Sequence, residues 1–339
     1  MVFVTGGTGL VGSHLLFSLI KKGEKVRALK RSTSGIKNVE KVFSYYSENY
    51  HQLVSQIEWV DGDILDIYSL TDAMENVDVV YHCAAVISFD AKDRDVMMKT
   101  NVTGTANIVN AALEKKIKKL CYASSVAALG EGKTEISETT FWKSSPCNSN
   151  YAVSKYAAER EVWRGMEEGL SAVIVNPSII IGPGNWDKSS SRMIRRAQKR
   201  FSFYAEGTSG YVDVRDLTDI MIRLTETNIT KERFIVSAEK FSYKDFFSVA
   251  NSCFGNKPPS IKTGKLVCEM AWRAGKIKSY VTGKQSSVTK EVAKAACQKS
   301  SYSNKKIKDA LSFEFIPVKK SIEDTCSLLR KEQGINGLV

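Results

Sequence analysis

Short apolar runs alternate with stretches of helical spacing over the first half of the chain. Residues 2–5, 25–30, 57–60, 77–83, 119–123 and 171–175 read as strands. The run at 77–83 is apolar almost without a break, as suits a parallel strand covered on both faces. Between strands, 10–22 carries a helical stripe that stops at Gly23, a residue suited to the left-handed turn after a helix. A second stripe runs over 101–116 through Val102, Ala106, Ile108, Val109, Ala112 and Leu113. This alternation predicts an α/β fold, a Rossmann-type doubly wound parallel sheet with helices on both faces. Right-handed crossovers put the C-terminal ends of its strands on one edge, where ligands bind.

After Pro177 the pattern loosens. Strands shorten, Gly and Ser become commoner, and the helices expected over 267–276 and 318–330 lie far apart. The expected division is a Rossmann domain over 1–176 and a smaller, mixed region over 177–339 that caps the sheet edge. Some segments of the second part, a strand at 234–236 among them, are expected to return to the sheet. There is no internal repeat and no low-complexity tail.

Composition narrows the class. With 339 residues, 43% hydrophobic and 25% charged, the chain is neither disordered nor fibrous. No apolar run nears the ~18 residues of a membrane span, and the one at 172–181 carries Asn176 and Pro177. A strand follows Met1 directly, with no basic leader and no cleavage site, so a cytoplasmic protein is expected. Seven cysteines with no C-x-x-C spacing read as reduced thiols. Three histidines offer few zinc ligands, and no metal site is expected. The net charge of +12 is densest at Lys188, Arg192, Arg195, Arg196, Lys199 and Arg200. No aromatics interleave these cations, so they read as a solvated basic face that draws anionic cofactors or substrates, not as a nucleic-acid site.

The chemistry starts at V-F-V-T-G-G-T-G-L-V-G-S. Gly6 would permit the tight turn, Gly9 the approach of a pyrophosphate, and Gly12 close packing of helix on strand. Free N–H groups at a helix start suit a phosphate. Gly6, Thr8, Gly9, Leu10, Val11 and Gly12 are therefore the candidate dinucleotide-binding residues. At the second strand's end, where an acid for a ribose 2′-OH often stands, this chain has Lys30 and Arg31, with Arg27 upstream. Cations there, with no carboxylate to repel a 2′-phosphate, favour NADP; NAD remains possible. Asp63 and Ile64 end the third strand beside the expected adenine, and the small Ala84 and Ala85 leave room for the cofactor backbone.

Tyr151 and Lys155 stand at i and i+4, on one face of a helix. Ser124 and Ser125 end the fifth strand at the same edge. Together with N-V-T-G-T at 101–105, N-P-S-I-I-I-G-P-G at 176–184 and Y-V-D-V-R-D at 211–216, these motifs resemble the extended short-chain dehydrogenase/reductase family, the NAD-dependent epimerase/dehydratase group. The C-terminal pattern is similar to its dihydroflavonol-4-reductase-like subgroup.

The resemblance implies an enzyme in which Tyr151 is the acid or base, Lys155 lowers the phenol pKa and holds the nicotinamide ribose, and Ser125 fixes the substrate oxygen. Ser125 is preferred to Ser124 because the family places this hydroxyl five residues before the glycine found here as Gly130. Pro177 and Ser178 would lie beside the nicotinamide. Asn176 could orient cofactor or substrate, or simply end its strand. Asn101 is expected to order backbone near the site. Asp213, Arg215 and Asp216 read as a structural ion-pair and capping cluster, and His82 and Cys83 as packing. Phe89, Phe141, Trp142, Trp186 and Tyr204 are candidates for a pocket or for core. A homodimer through the helices flanking the sheet is also implied.

Val126 and Ala127 stand where family dehydratases carry an Asp–Glu pair, which argues against sugar dehydration. The leading expectation is an NADP-dependent carbonyl reductase or alcohol dehydrogenase. The alternatives are a nucleotide-sugar epimerase that keeps its NAD, and a non-catalytic NAD(P)-binding sensor or assembly factor. The expected partner is accordingly a carbonyl, alcohol or nucleotide-sugar small molecule.

Overall fold

The computed structural model describes residues 1–130, 135–146, 148–188, 190–264, 267, 269–270, 272–274 and 289–334. The helix expected over 267–276 falls largely outside the described residues. Twelve strands are described: β1 (Val2–Thr5), β2 (Val26–Lys30), β3 (Ile57–Asp61), β4 (Val79–His82), β5 (Lys119–Ala123), β6 (Ala172–Pro177), β7 (Ile179–Ile181), β8 (Phe203–Tyr204), β9 (Thr208–Asp213), β10 (Glu232–Val236), β11 (Glu239–Ser242) and β12 (Ile261–Lys262).

Seven of them form one parallel sheet in the order β10-β6-β5-β4-β1-β2-β3. Alternation along each strand divides its side chains between two cores. Val2, Val4, Cys121, Val173 and Val175 pack with Leu15, Leu16, Leu19 and Ile20 of the Leu10–Lys21 helix and with Leu217, Ile220 and Leu224 of the Val214–Glu226 helix. Phe3, Leu120, Tyr122 and Ile174 pack on the other face with Ile108 and Val109 of the Gly104–Glu114 helix and Ala158 and Val162 of the Asn150–Glu167 helix. Burying such side chains stabilises by roughly 1.5–3 kcal/mol each, and two dry faces hold the sheet rigid beneath its ligand edge.

The later half contributes to this sheet. β10 pairs with β6 from Glu232↔Val173 to Val236↔Pro177, and Ile307 and Leu311 of the Lys305–Leu311 helix join the first core. A third core, with Trp186, Tyr211, Phe246, Phe247, Ile322 and Leu329, lies under the three-stranded sheet β11-β9-β7. Arg215 binds the two together: it donates to Asp213 Oδ1 and Oδ2 at 2.9 and 2.7 Å and to Asp324 at 2.8 Å, while Asp216 accepts from the Ile316 N–H at 2.9 Å. In the basic segment, Arg195 pairs with Asp187 at 3.4 Å, and Arg192, Lys199 and Arg200 face solvent. Cys83, Cys121, Cys253 and Cys326 are not in disulfides. Among the described residues no helix is long and apolar enough to cross a membrane.

One helix begins differently from its sequence pattern. The stripe predicted a helix starting near Asn101, but Met98–Thr103 forms a wide π turn before the α-helix starts at Gly104. Such turns displace the local backbone and concentrate at functional sites.

Chain direction changes sides between β1 and β4, and there the backbone crowds. Gly6 is left-handed, φ +70°, and a Cβ on it would lie 2.6 Å from the Ala84 nitrogen and the Cys83 carbonyl carbon. A Cβ on Gly12 would lie 2.2 Å from the Gly6 oxygen. Gly12 thus makes room for the turn itself and not for the strand, as its spacing had suggested. Gly12→Ala is expected to lower the unfolding free energy by about 1–3 kcal/mol. Gly35→Ala, at an exposed residue with nothing within 4 Å of the added carbon, should change it by less than about 0.5 kcal/mol. Urea denaturation of the two variants checks the contrast.

Candidate active site

The first helix opens on the sheet edge without a cap. Gly9, its N-cap, has no side chain to accept a hydrogen bond, and the first turn holds no acid. Gly9 is exposed, and Thr8, Leu10 and Val11 are half-buried around it. The leading N–H groups are therefore open, the chemistry a phosphate needs. Asn38, from the Lys37–Ser44 helix that sequence reasoning did not find, fixes the turn by donating to the Thr8 carbonyl at 2.9 Å.

The end of β2 differs from expectation. Lys30 lies opposite Asp61 across β2 and β3, and the two form an ion pair. A carboxylate does therefore stand at this corner, because the last residue of β3 comes into register there. Arg27 is committed too, to Glu58 at 2.8 Å and to the Ala73 and Glu75 carbonyls at 2.9 Å each. Arg31 is exposed and has no carboxylate partner among the described residues. Asp63 is exposed, with Oδ1 accepting from the Leu65 N–H at 2.9 Å. Ile64 turns inward: its side chain packs in the core against Gly104, so only its backbone faces the edge.

At the end of β4, His82 bridges Thr5 and Thr105, at 2.7 and 3.0 Å. Burial lowers its pKa to about 3, so it stays neutral. Ala84 is half-buried and Ala85 exposed at the strand end. Asn101, in the π turn, clamps this loop: its Oδ1 accepts from the Val86 N–H at 2.7 Å, and its Nδ2 donates to the Val86 carbonyl at 2.9 Å and to Ser154 at 3.0 Å.

Ser149 caps the Asn150–Glu167 helix by accepting from the Ala152 N–H at 3.0 Å. That start aims Tyr151 and Lys155 at the ends of β4 and β5. The Ser125 hydroxyl lies near enough to Tyr151 to lower its pKa against burial, and Tyr151 meets Phe89 edge-on at 6.0 Å. Ser124 points away, donating to Glu159 at 2.8 Å, so Ser125 is the hydroxyl beside Tyr151. Lys155 is only 1% exposed. Its Nζ donates to Tyr122 Oη and to the Ala123 carbonyl, both at 2.8 Å, which leaves its third proton for a ligand. Among the aromatic candidates, Trp186 is core and Trp142 stacks on Tyr156 at 4.4 Å; Phe89 alone of the five touches Tyr151.

The electrostatics also depart from expectation. Burial raises the Tyr151 pKa, and the influence opposing it is the neighbouring Ser125 hydroxyl, with no contribution from Lys155. Lys155 itself falls to about 7, through burial first, opposed by Glu159 and then Cys83. A cation that sits this deep is weakened as an electrostatic partner unless an anion supports it.

β6 delivers Asn176, Pro177 and Ser178, all buried. Asn176 Nδ2 donates to the Ser125 carbonyl at 2.9 Å, while its Oδ1 and the Ser178 hydroxyl have no partner among the described residues. Two orphaned polar atoms at a ligand edge fit an amide-bearing group such as nicotinamide. The most substantial omission of the sequence reading is Glu159. It continues the Tyr151–Lys155 stripe by one more turn, a spacing that could have revealed it. Its partner Arg233 arrives from β10 with no local signal.

A parallel sheet with an uncapped glycine turn at the switch point and Ser, Tyr and Lys gathered beside it defines a dinucleotide-dependent oxidoreductase. The comparisons specify the family. The profile of the NAD dependent epimerase/dehydratase family matches residues 2–237. The chain belongs to that family, within the extended short-chain dehydrogenase/reductases, and is an NAD(P)-dependent enzyme of the reductase and epimerase type. A Synechocystis protein described as a dihydroflavonol 4-reductase is 30% identical, over 95% of this chain and 92% of its own. The NADPH-dependent methylglyoxal reductase of Saccharomyces cerevisiae is 25% identical, over 98% and 99%. A UDP-glucose 4-epimerase from Thermotoga maritima, solved with UDP-glucose, shares the fold at TM-score 0.76 and 19% identity, over 98% of this chain and 99% of that one.

Lys155 loses its proton as pH rises through about 7. NADPH affinity, followed by quenching of intrinsic fluorescence, is expected to fall between pH 6.5 and roughly 8.5. Lys155→Met should flatten that profile; a wild-type affinity constant over the range would count against the assignment.

Proposed function

We propose that this protein is an NADPH-dependent reductase of a small or medium-sized carbonyl compound. The observation that carries the reading is the convergence of three side chains at the sheet edge, the Ser125 hydroxyl beside Tyr151 and buried Lys155 one helical turn along. The dinucleotide, when bound, supplies the hydride. Tyr151 donates the proton to the carbonyl oxygen. Its raised pKa suits that direction, since a phenol above its ordinary range keeps its proton at neutral pH. Ser125 donates to the same oxygen and fixes its place. Lys155, when protonated, offers its remaining N–H to the ribose. The turn from Gly6 to Gly12, Thr8 and Gly9 included, holds the pyrophosphate on the open N–H groups that begin the helix at Leu10 and Val11, the Gly9 N–H itself donating to the Gly6 carbonyl at 2.9 Å. Ala84 and Ala85 leave space for the cofactor, Asp63 and the Ile64 backbone border the adenine, and Asn176, Pro177 and Ser178 border the nicotinamide.

The preference for NADPH rests on Arg31, because Lys30 already has Asp61. The NADPH dependence of the yeast relative supports it.

The first test is to denature the purified protein, identify any released nucleotide, and titrate fresh protein with NADPH and NADH. The reductase reading expects an empty or readily exchanged site that prefers NADPH. NAD retained at near-unit occupancy would instead favour the epimerase. Arg31→Glu is expected to weaken NADPH binding at least tenfold, about 1.4 kcal/mol, with NADH affinity little changed. Tyr151→Phe should keep nucleotide affinity and cut carbonyl turnover by roughly 10²–10⁴. Unchanged turnover in that variant would remove Tyr151 from the chemistry.

A further inference from the structure

We propose that the buried Glu159–Arg233 ion pair is the positioning unit of this active site, setting Ser125 and the Lys155 turn of the helix from the far edge strand of the sheet. The inference rests on the roles proposed above for Ser125, Tyr151 and Lys155.

Glu159 is 2% exposed. Its Oε1 accepts from Arg233 at 3.0 Å and from the Trp163 indole at 3.4 Å. Its Oε2 accepts from Ser124 at 2.8 Å and from Asn176 at 2.9 Å. The same Asn176 amide nitrogen donates to the Ser125 carbonyl at 2.9 Å. One carboxylate therefore gathers the ends of β5 and β6, the helix bearing Tyr151 and, through Arg233, β10. Arg233 extends the hold by donating to the Glu138 carbonyl, and Glu138 Oε1 accepts from the Ile235 N–H at 2.9 Å.

Stability alone does not call for this arrangement. Apolar residues of similar volume commonly stabilise a core as well as a buried ion pair does, or better. The charge has a specific addressee, since Glu159 lies four residues beyond Lys155 on the same helix face and is the main group opposing the loss of its proton. The groups facing Lys155 are Tyr122 from β5, Cys83 and His82 from the end of β4, and Glu159. Those facing Glu159 are Arg233, Trp163, Ser124 and Asn176, with Tyr122 nearby.

The test follows NADPH affinity against pH in folded full-length variants, with thermal unfolding measured alongside. Glu159→Gln removes the anion beside Lys155, so the midpoint of the profile is expected to move down by roughly one pH unit. Arg233→Gln removes the cation that offsets the Glu159 charge, so the midpoint is expected to move up. A merely structural lesion would weaken binding alike at every pH. Midpoints that stay put, or that move the same way in both variants, overturn the proposal. If Glu159→Gln does not fold, the Arg233→Gln midpoint decides alone. Wild-type protein that binds neither NADPH nor NADH would overturn the proposed function and this inference together, whereas a wild-type profile centred near pH 7 with unmoved variants overturns this inference only.

Discussion

The geometry of the site is referred to one contact, the backbone of Gly6 pressed against the end of β4. No side chain fits there: a Cβ would stand 2.6 Å from main-chain atoms of Cys83 and Ala84. That closeness sets the height of the first helix over the sheet, and with it the direction in which its uncapped N–H groups open. It also brings Thr5 within hydrogen-bonding distance of His82, so the two central strands end level. The rest of the site is built outward from this point, through Asn101 on one side and the Asn150–Glu167 helix on the other.

The second constraint is the burial of Lys155. A fully buried ammonium loses much of its hydration, and two neutral acceptors, Tyr122 and the Ala123 carbonyl, replace only part of it. The result is an amine held near its titration point, beside a phenol that burial pushes towards its neutral form. Lys155 is thereby brought into the range in which a proton is readily passed, while Tyr151 is held in its protonated, donor form.

Much of this was legible in the chain. Short apolar strand runs, the helix stripe at 10–22 and the spacing of Gly6, Gly9 and Gly12 are local signals, and they led to the right sheet. Tyr151 and Lys155 could be placed side by side for the same reason, since i and i+4 share a face whatever lies around the helix. What escaped was decided by pairing at long range. Lys30 looked like a free cation because its neutraliser, Asp61, stands 31 positions later and meets it only through strand register. The expected fall of the Tyr151 pKa was a statement about charge alone, and burial outweighed it. The π turn at Met98–Thr103 carries no distinctive residue pattern, and Arg233 reads as an ordinary strand cation until β10 is seen beside β6.

That last pairing has a consequence for synthesis. The Rossmann half is continuous through Pro177, yet the strand that closes its edge ends at Val236. A nascent chain that has emerged only as far as β6 holds Glu159 with no arginine to face it and leaves the flank of β6 unpaired. Some sixty further residues separate the end of β6 from the end of the strand that completes its pairing and balances its interior charge.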